Sequence, residues 1–134
     1  MIAVDTNIIV RLMTRDDEAQ FRRARDTFRR SEVFVSDTVM LETAWVLDYA
    51  YGLGRDEIVR AIRLLCSQRN VHLSNPALAA SVIEWYEGGM DFADAFHLAQ
   101  SVHCEMLLTF DARFVKKAAG KARCRVSEPP KRGG

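Results

Sequence analysis

What most constrains this chain is how short its apolar runs are and how regularly helical segments separate them. Ile2-Ala3-Val4, Val33-Phe34-Val35 and Val71-His72-Leu73 are each three residues long, and Met106-Leu107-Leu108-Thr109-Phe110 is five. Every one of them is followed by a stretch with helical periodicity. Short β strands that alternate with helices predict an α/β domain with a small, mostly parallel sheet covered on both faces. Cys124-Arg125-Val126 reads as a fifth, edge strand. The first run reads as a buried strand that stops at Asp5. None of the runs approaches the roughly 20 residues that span a bilayer.

The intervening segments carry helix punctuation. Asn7 is placed to cap a short helix through Ile8, Ile9, Val10, Leu12 and Met13. Residues 16–30 form an amphipathic helix with Ala19, Phe21, Ala24 and Phe28 inward. Ser36 or Asp37 opens a helix that reaches about Tyr51, where Gly52 and Gly54 end it. Residues 56–68 bury Ile58, Val59, Ile62, Leu65 and Cys66. Ser74-Asn75-Pro76 starts a helix to Tyr86, with proline in the first turn, and Gly88-Gly89 breaks it. Asp91 opens the next, to about His103, and a short helix over 112–119 stops at Gly120. A chain of 134 residues, 49% of them apolar, holds one core. The domain therefore spans 1–127, followed by a flexible C-terminal tail over 128–134. Three cysteines without CxxC spacing, and no basic segment leading into a long apolar one, predict reduced thiols in a cytoplasmic protein with no signal peptide.

The chemistry lies in the acids. Asp5 ends the first strand and Asp111 the fourth. Each alone could be a loop acid or a helix cap; two at the same address, at the strand ends where open α/β sheets place ligands, point to a site. Glu42 sits among Val39, Met40, Leu41, Ala44, Trp45, Val46 and Leu47, which predicts a largely buried helix. A buried carboxylate needs a cation or donors in place of its water, and no Lys or Arg lies within a turn of it. Snorkelling to a surface strip is the competing account. In Asp91-Phe92-Ala93-Asp94-Ala95-Phe96-His97-Leu98-Ala99, Asp91 looks like the N-cap and Asp94 falls at the capping-box position. The apolar neighbours of Asp94 aim it at protein or a cleft. Four carboxylates that meet repel one another unless a hard divalent cation such as Mg²⁺ neutralises them. His72, His97 and His103 lack zinc-ligand spacing. His97, a turn after Asp94, remains a supporting candidate.

With these motifs in view, V-D-T-N at 4–7, V-M-L-E-T-A-W-V-L at 39–47, D-F-A-D-A-F-H-L-A at 91–99 and L-L-T-F-D-A-R-F at 107–114, the chain resembles the PIN-domain family over essentially its whole length. More narrowly it is similar to the VapC-type toxins of bacterial toxin–antitoxin pairs. The resemblance implies a three-layer PIN-like α/β/α sandwich and a Mg²⁺- or Mn²⁺-dependent endoribonuclease. It also implies a homodimer, silenced by a cognate antitoxin whose C-terminal segment enters the acidic groove. Carried over, Asp5, Glu42, Asp94 and Asp111 match the four family acids. Asp5 and Asp94 would be the primary metal ligands, with Glu42 and Asp111 completing the site directly or through water. Asp91 is an extra acid. Thr6 and Asn7 would hold the first loop.

Such a site hydrolyses a phosphodiester by metal-assisted attack of water, with no covalent nucleophile. Its RNA must be drawn in by flanking positive charge, and a formal net charge of +1 (19 basic against 18 acidic residues) neither supports nor excludes a polyanionic partner. Arg11, Arg15, Arg22, Arg23, Arg25, Arg29 and Arg30 are either a phosphate-tracking rim or a solvated face balanced by Asp16, Asp17, Glu18 and Asp26. Lys116, Lys117, Lys121, Arg123 and Arg125 lie near Asp111, better placed for the scissile backbone. Trp45, Tyr49 and Tyr51 are candidates for a partner surface, with a core position favoured for Trp45. A phosphoacceptor domain would need a paired acidic strand end early on, and a haloacid-dehalogenase-type phosphatase an Asp where Asn7 stands. The alternative that survives is a non-catalytic, metal-stabilised module that binds RNA or protein.

Overall fold

A computed structural model describes residues 1–131. The chain divides into two compact units, Met1–Ala79 and Ala80–Gly134, the division falling inside a helix. The expected tail over 128–134 lies partly outside the described residues.

In the first unit, β1 (Ile2–Ala3), β2 (Val33–Val35) and β3 (Val71–Leu73) form a parallel sheet in the order β1-β2-β3. Ile2 pairs with Val33, and Val33 with Val71, so the strands run in step. Between them come α1 (Thr6–Thr14), α2 (Glu18–Arg30), α3 (Asp37–Tyr49) and α4 (Arg55–Cys66). Their starts follow side-chain chemistry. Asp17 accepts from the Gln20 amide at 2.9 Å and Ser36 from the Val39 amide at 3.2 Å. Each satisfies one of the orphan N–H groups that open any helix. Gly52, at φ +63°, turns the chain after α3 through backbone space that suits glycine. Ile9, Val33, Val35, Leu47 and Ile58 are completely buried, with Met40 and Ile62 nearly so.

The second unit holds most of α5 (Pro76–Glu87), then α6 (Phe92–Gln100), β4 (Met106–Leu108), α7 (Ala112–Ala118) and β5 (Arg125–Ser127). Asn75 accepts from the Leu78 amide at 3.0 Å and so supports the start of α5. Strands β4 and β5 pair in parallel, Met106 with Arg125. Val82, Met90 and Leu98 make the core with an aromatic run. Tyr86 meets Phe92 edge-on at 5.0 Å, and Phe92 meets Phe96 at 5.5 Å, geometries that suit ring quadrupoles.

The α/β class and the parallel pairing are as expected, but three local expectations are corrected. Strand β1 is not buried: Ile2 is 42% exposed, and only Val4 beyond it joins the core. It is an outer strand, paired on one side, and two residues are too few to cover both its faces. Asn7 does not cap α1; Asp5 does, one residue before the helix begins. Glu42 and Trp45 are not interior. Helix α3 buries Met40, Thr43, Ala44 and Leu47, the i, i+3, i+4, i+7 stripe, and that leaves Glu42, Trp45 and Tyr49 on its outer face.

Candidate metal-binding and catalytic site

In the first unit, the turn from β1 into α1 sets the position of Asp5. Its Oδ1 accepts from the Thr6 amide at 2.7 Å and caps the helix. Its Oδ2 has no hydrogen bond among the described residues. Thr6 is 5% exposed, and its hydroxyl donates to Glu42 Oε1 across from α3. Thr6 thus touches both acids, holding one through its backbone and the other through its side chain. Glu42 lies at the surface, yet this hydroxyl fixes one of its oxygens.

In the second unit, Asp111 repeats the arrangement of Asp5. It follows β4 and caps α7, its Oδ1 accepting from the amides of Arg113 at 3.0 Å and Phe114 at 3.1 Å. Its own amide donates to the Thr109 hydroxyl at 3.0 Å. The sequence reading passed over Thr109; the signal was a hydroxyl residue two positions before a capping acid. Asp91 is the N-cap of α6, as read, and accepts from the Asp94 amide at 3.1 Å.

Asp94 is the unusual member. Its carboxylate has neither a hydrogen bond nor an ion pair among the described residues. Burial holds its pKa above the ordinary value, the charges of Asp91 and Asp111 raise it further, and His97 opposes them. Asp94, His97, Thr109 and Asp111 line a cleft of about 530 Å³ together with Gln100, Ser101, Leu107, Leu108 and Phe114. None of the lining residues is Lys or Arg.

The acids therefore come as two sets. Asp5 and Glu42 are joined through Thr6 in the first unit, and Asp94 and Asp111 share a cleft in the second. Among the described residues no group of three or more His, Cys, Asp or Glu is arranged to hold a metal ion. The donor chemistry nonetheless fits a hard divalent cation. Every candidate ligand is a carboxylate oxygen, none is tied up in an ion pair, and the charge at Asp94 is uncompensated.

Basic residues fall into two kinds. Arg11 pairs with Asp16 at 3.1 Å, Arg15 with Glu18 at 2.8 Å and Arg22 with Glu18 at 3.6 Å. Arg25 sits over the Phe21 ring. The solvated, balanced face accounts for Arg15 and Arg22, whereas Arg11 and Arg25 are part-buried and the Arg25 Nε has no partner among the described residues. Arg23, Arg29 and Arg30 have no acidic partner among the described residues, nor do the exposed Lys116, Lys117, Lys121, Arg123 and Arg125.

Parallel strands followed by carboxylates free of ion pairs, in an α/β chain, define a class of protein with candidate cation ligands beyond its strand ends. A family model for the PIN domain matches residues 2–120, a span that takes in Asp5, Glu42, Asp94 and Asp111. The chain belongs to the PIN-domain family. PIN domains are in general nucleases, hydrolases that bind nucleic acid and use divalent metal ions. No curated protein matches the chain. No helix among the described residues is long and apolar enough to cross a membrane.

Proposed function

We propose that this chain is a Mg²⁺- or Mn²⁺-dependent endoribonuclease of the VapC toxin type, acting as a homodimer and neutralised by a cognate antitoxin. The domain that carries the activity runs from residue 1 to 127, and its metal ligands are Asp5, Glu42, Asp94 and Asp111. The observation that carries the reading is Asp94: a carboxylate with no hydrogen bond or ion pair among the described residues, raised in pKa by burial and by two neighbouring acids, in a cleft that holds His97 but no Lys or Arg. A protein gains nothing from such a group unless a cation meets it.

A bound divalent ion supplies Lewis acidity, which makes water a competent nucleophile near neutral pH and offsets charge on the phosphate. The residues do the rest. Asp5 and Asp111 each keep Oδ1 on a helix terminus, which fixes the direction of Oδ2. The Thr6 hydroxyl orients Glu42. Leu107 and Phe114 supply apolar lining to the cleft that holds Asp94 and Asp111. The stacked, exposed pair Trp45 and Tyr49 supports a protein-contact role for α3.

Purified protein should cut single-stranded RNA internally when Mg²⁺ or Mn²⁺ is present and stop on addition of EDTA. Asp94→Ala should lower the rate at least about 100-fold while the circular dichroism spectrum is kept. RNA cleavage indifferent to EDTA and to Asp94→Ala would sink the assignment. Metal-stabilised folding without any cleavage would leave a binding module.

A further inference from the structure

A second polar cleft, of about 420 Å³, lies between α1 and α2 within the first unit. Asn7, Arg11, Gln20, Arg23 and Thr27 line it, and none of its lining residues is acidic. Its two cations differ. Arg11 is preset: its Nε donates to Gln20 Oε1 at 2.7 Å and its Nη1 to the Tyr51 hydroxyl at 3.2 Å, with Asp16 at 3.1 Å. Arg23 is exposed and has no acidic partner among the described residues, so its charge is open to an incoming anion.

The cleft also has a definite relation to the acid pair. Asp5 caps α1, Asn7 lies in the first turn of that helix, and Arg11 is one turn further on. At about 1.5 Å of rise per residue, Arg11 sits roughly 9 Å along the axis from Asp5. The lining offers guanidinium groups and two amides, while the Thr27 hydroxyl donates to the Arg23 carbonyl at 3.0 Å. Ile8 and Ala24 are its only apolar members. A docked protein segment needs buried apolar anchors, whereas a phosphate needs donors and positive charge.

We propose that this cleft holds a backbone phosphate of the RNA strand on one side of the scissile bond, with Arg23 supplying the unpaired charge and Asn7 and Arg11 the positioned donors. The proposal rests on the nuclease reading and names a part of its substrate contact. It also shifts the expected rim: Arg22 is engaged with Glu18 and Arg25 with Phe21, which leaves Arg23 as the free contact on that turn.

The test is affinity for a labelled single-stranded RNA, measured in EDTA across a potassium chloride series so that cleavage plays no part. Arg23→Gln should weaken binding about five- to tenfold at low salt and make the slope of log affinity against log salt shallower by about 0.7, the value for one phosphate contact on a single strand. Arg23→Lys should retain the slope. Arg60→Gln, the same charge change at an exposed position on α4, should leave the slope as it was. Equal effects of Arg23→Gln and Arg60→Gln, or an unchanged slope in Arg23→Gln, overturn the subsite and leave the nuclease reading standing. Loss of binding to an acidic peptide but not to RNA in Arg23→Gln also overturns it. No RNA binding by the unsubstituted protein removes the nuclease reading itself.

Discussion

A carboxylate crowded by burial and by other acids should make itself felt in stability. Because Asp94 has its folded-state pKa raised, the native protein binds more protons than the unfolded chain between the ordinary carboxylate value and the raised one. Stability therefore falls as pH climbs through that window, and the penalty persists above it. Asp94→Asn in metal-free protein should melt about 1–2 °C higher at neutral pH, a small shift because the group is partly solvated. Thermal scans down to about pH 3 should show the gap close as Asp94 protonates in the parent. Added Mg²⁺ should raise the melting temperature of the parent and not of Asp94→Asn. A variant that melts below its parent at neutral pH contradicts the account. Thr6 is the other residue with a separable role. Thr6→Val keeps the shape and the backbone donor to Asp5 but removes the hydroxyl that holds Glu42. Cleavage should fall about tenfold, with RNA affinity in EDTA unchanged.

At the scale of elements, Asp5 and Asp111 serve the helices they open as well as the proposed chemistry, and the two services can be pulled apart. Asp5→Asn keeps a side-chain oxygen for the Thr6 amide and discards the charge; Asp5→Ala discards both. Each should abolish cleavage. Only Asp5→Ala should also lose stability, by about 1 kcal/mol, as measured by urea unfolding. Much of the element plan was legible because punctuation is local: Pro76 and Asn75 mark the start of α5, Asp91 that of α6, and Gly52 the turn after α3. What misled was composition taken without phase. Helix α3 is apolar nearly all round, which reads as buried. Its interior stripe is set by Met40, Thr43, Ala44 and Leu47, and Trp45 and Glu42 fall outside that arc. Asp5 and Asp111 were legible as residues just past strand ends. Their capping bonds and the support from Thr109 depend on local backbone geometry, and residue type alone does not encode it.

At the scale of the molecule, the outer face of α3 and the proposed dimer make a joint prediction. Trp45 is 58% and Tyr49 77% exposed, their rings stacked at 4.9 Å. An aromatic pair left in water is a costly surface unless another molecule covers it. Trp45→Ser with Tyr49→Ser should leave the thermal midpoint within about 2 °C, since neither ring belongs to the core. The same pair of changes should convert a dimer to a monomer in sedimentation experiments. A variant that sediments like its parent places the contact elsewhere.

The same two rings give the protein a built-in optical signal. Only two tryptophans are present, and the other, Trp85, is half-buried on α5. Light emitted from the indole at position 45 should be shifted to the red by surrounding water and partly quenched by its stacked neighbour. Anything that seats itself on that helix, a second copy or a regulatory protein, should move the emission toward the blue, so association can be followed by fluorescence without attaching a dye.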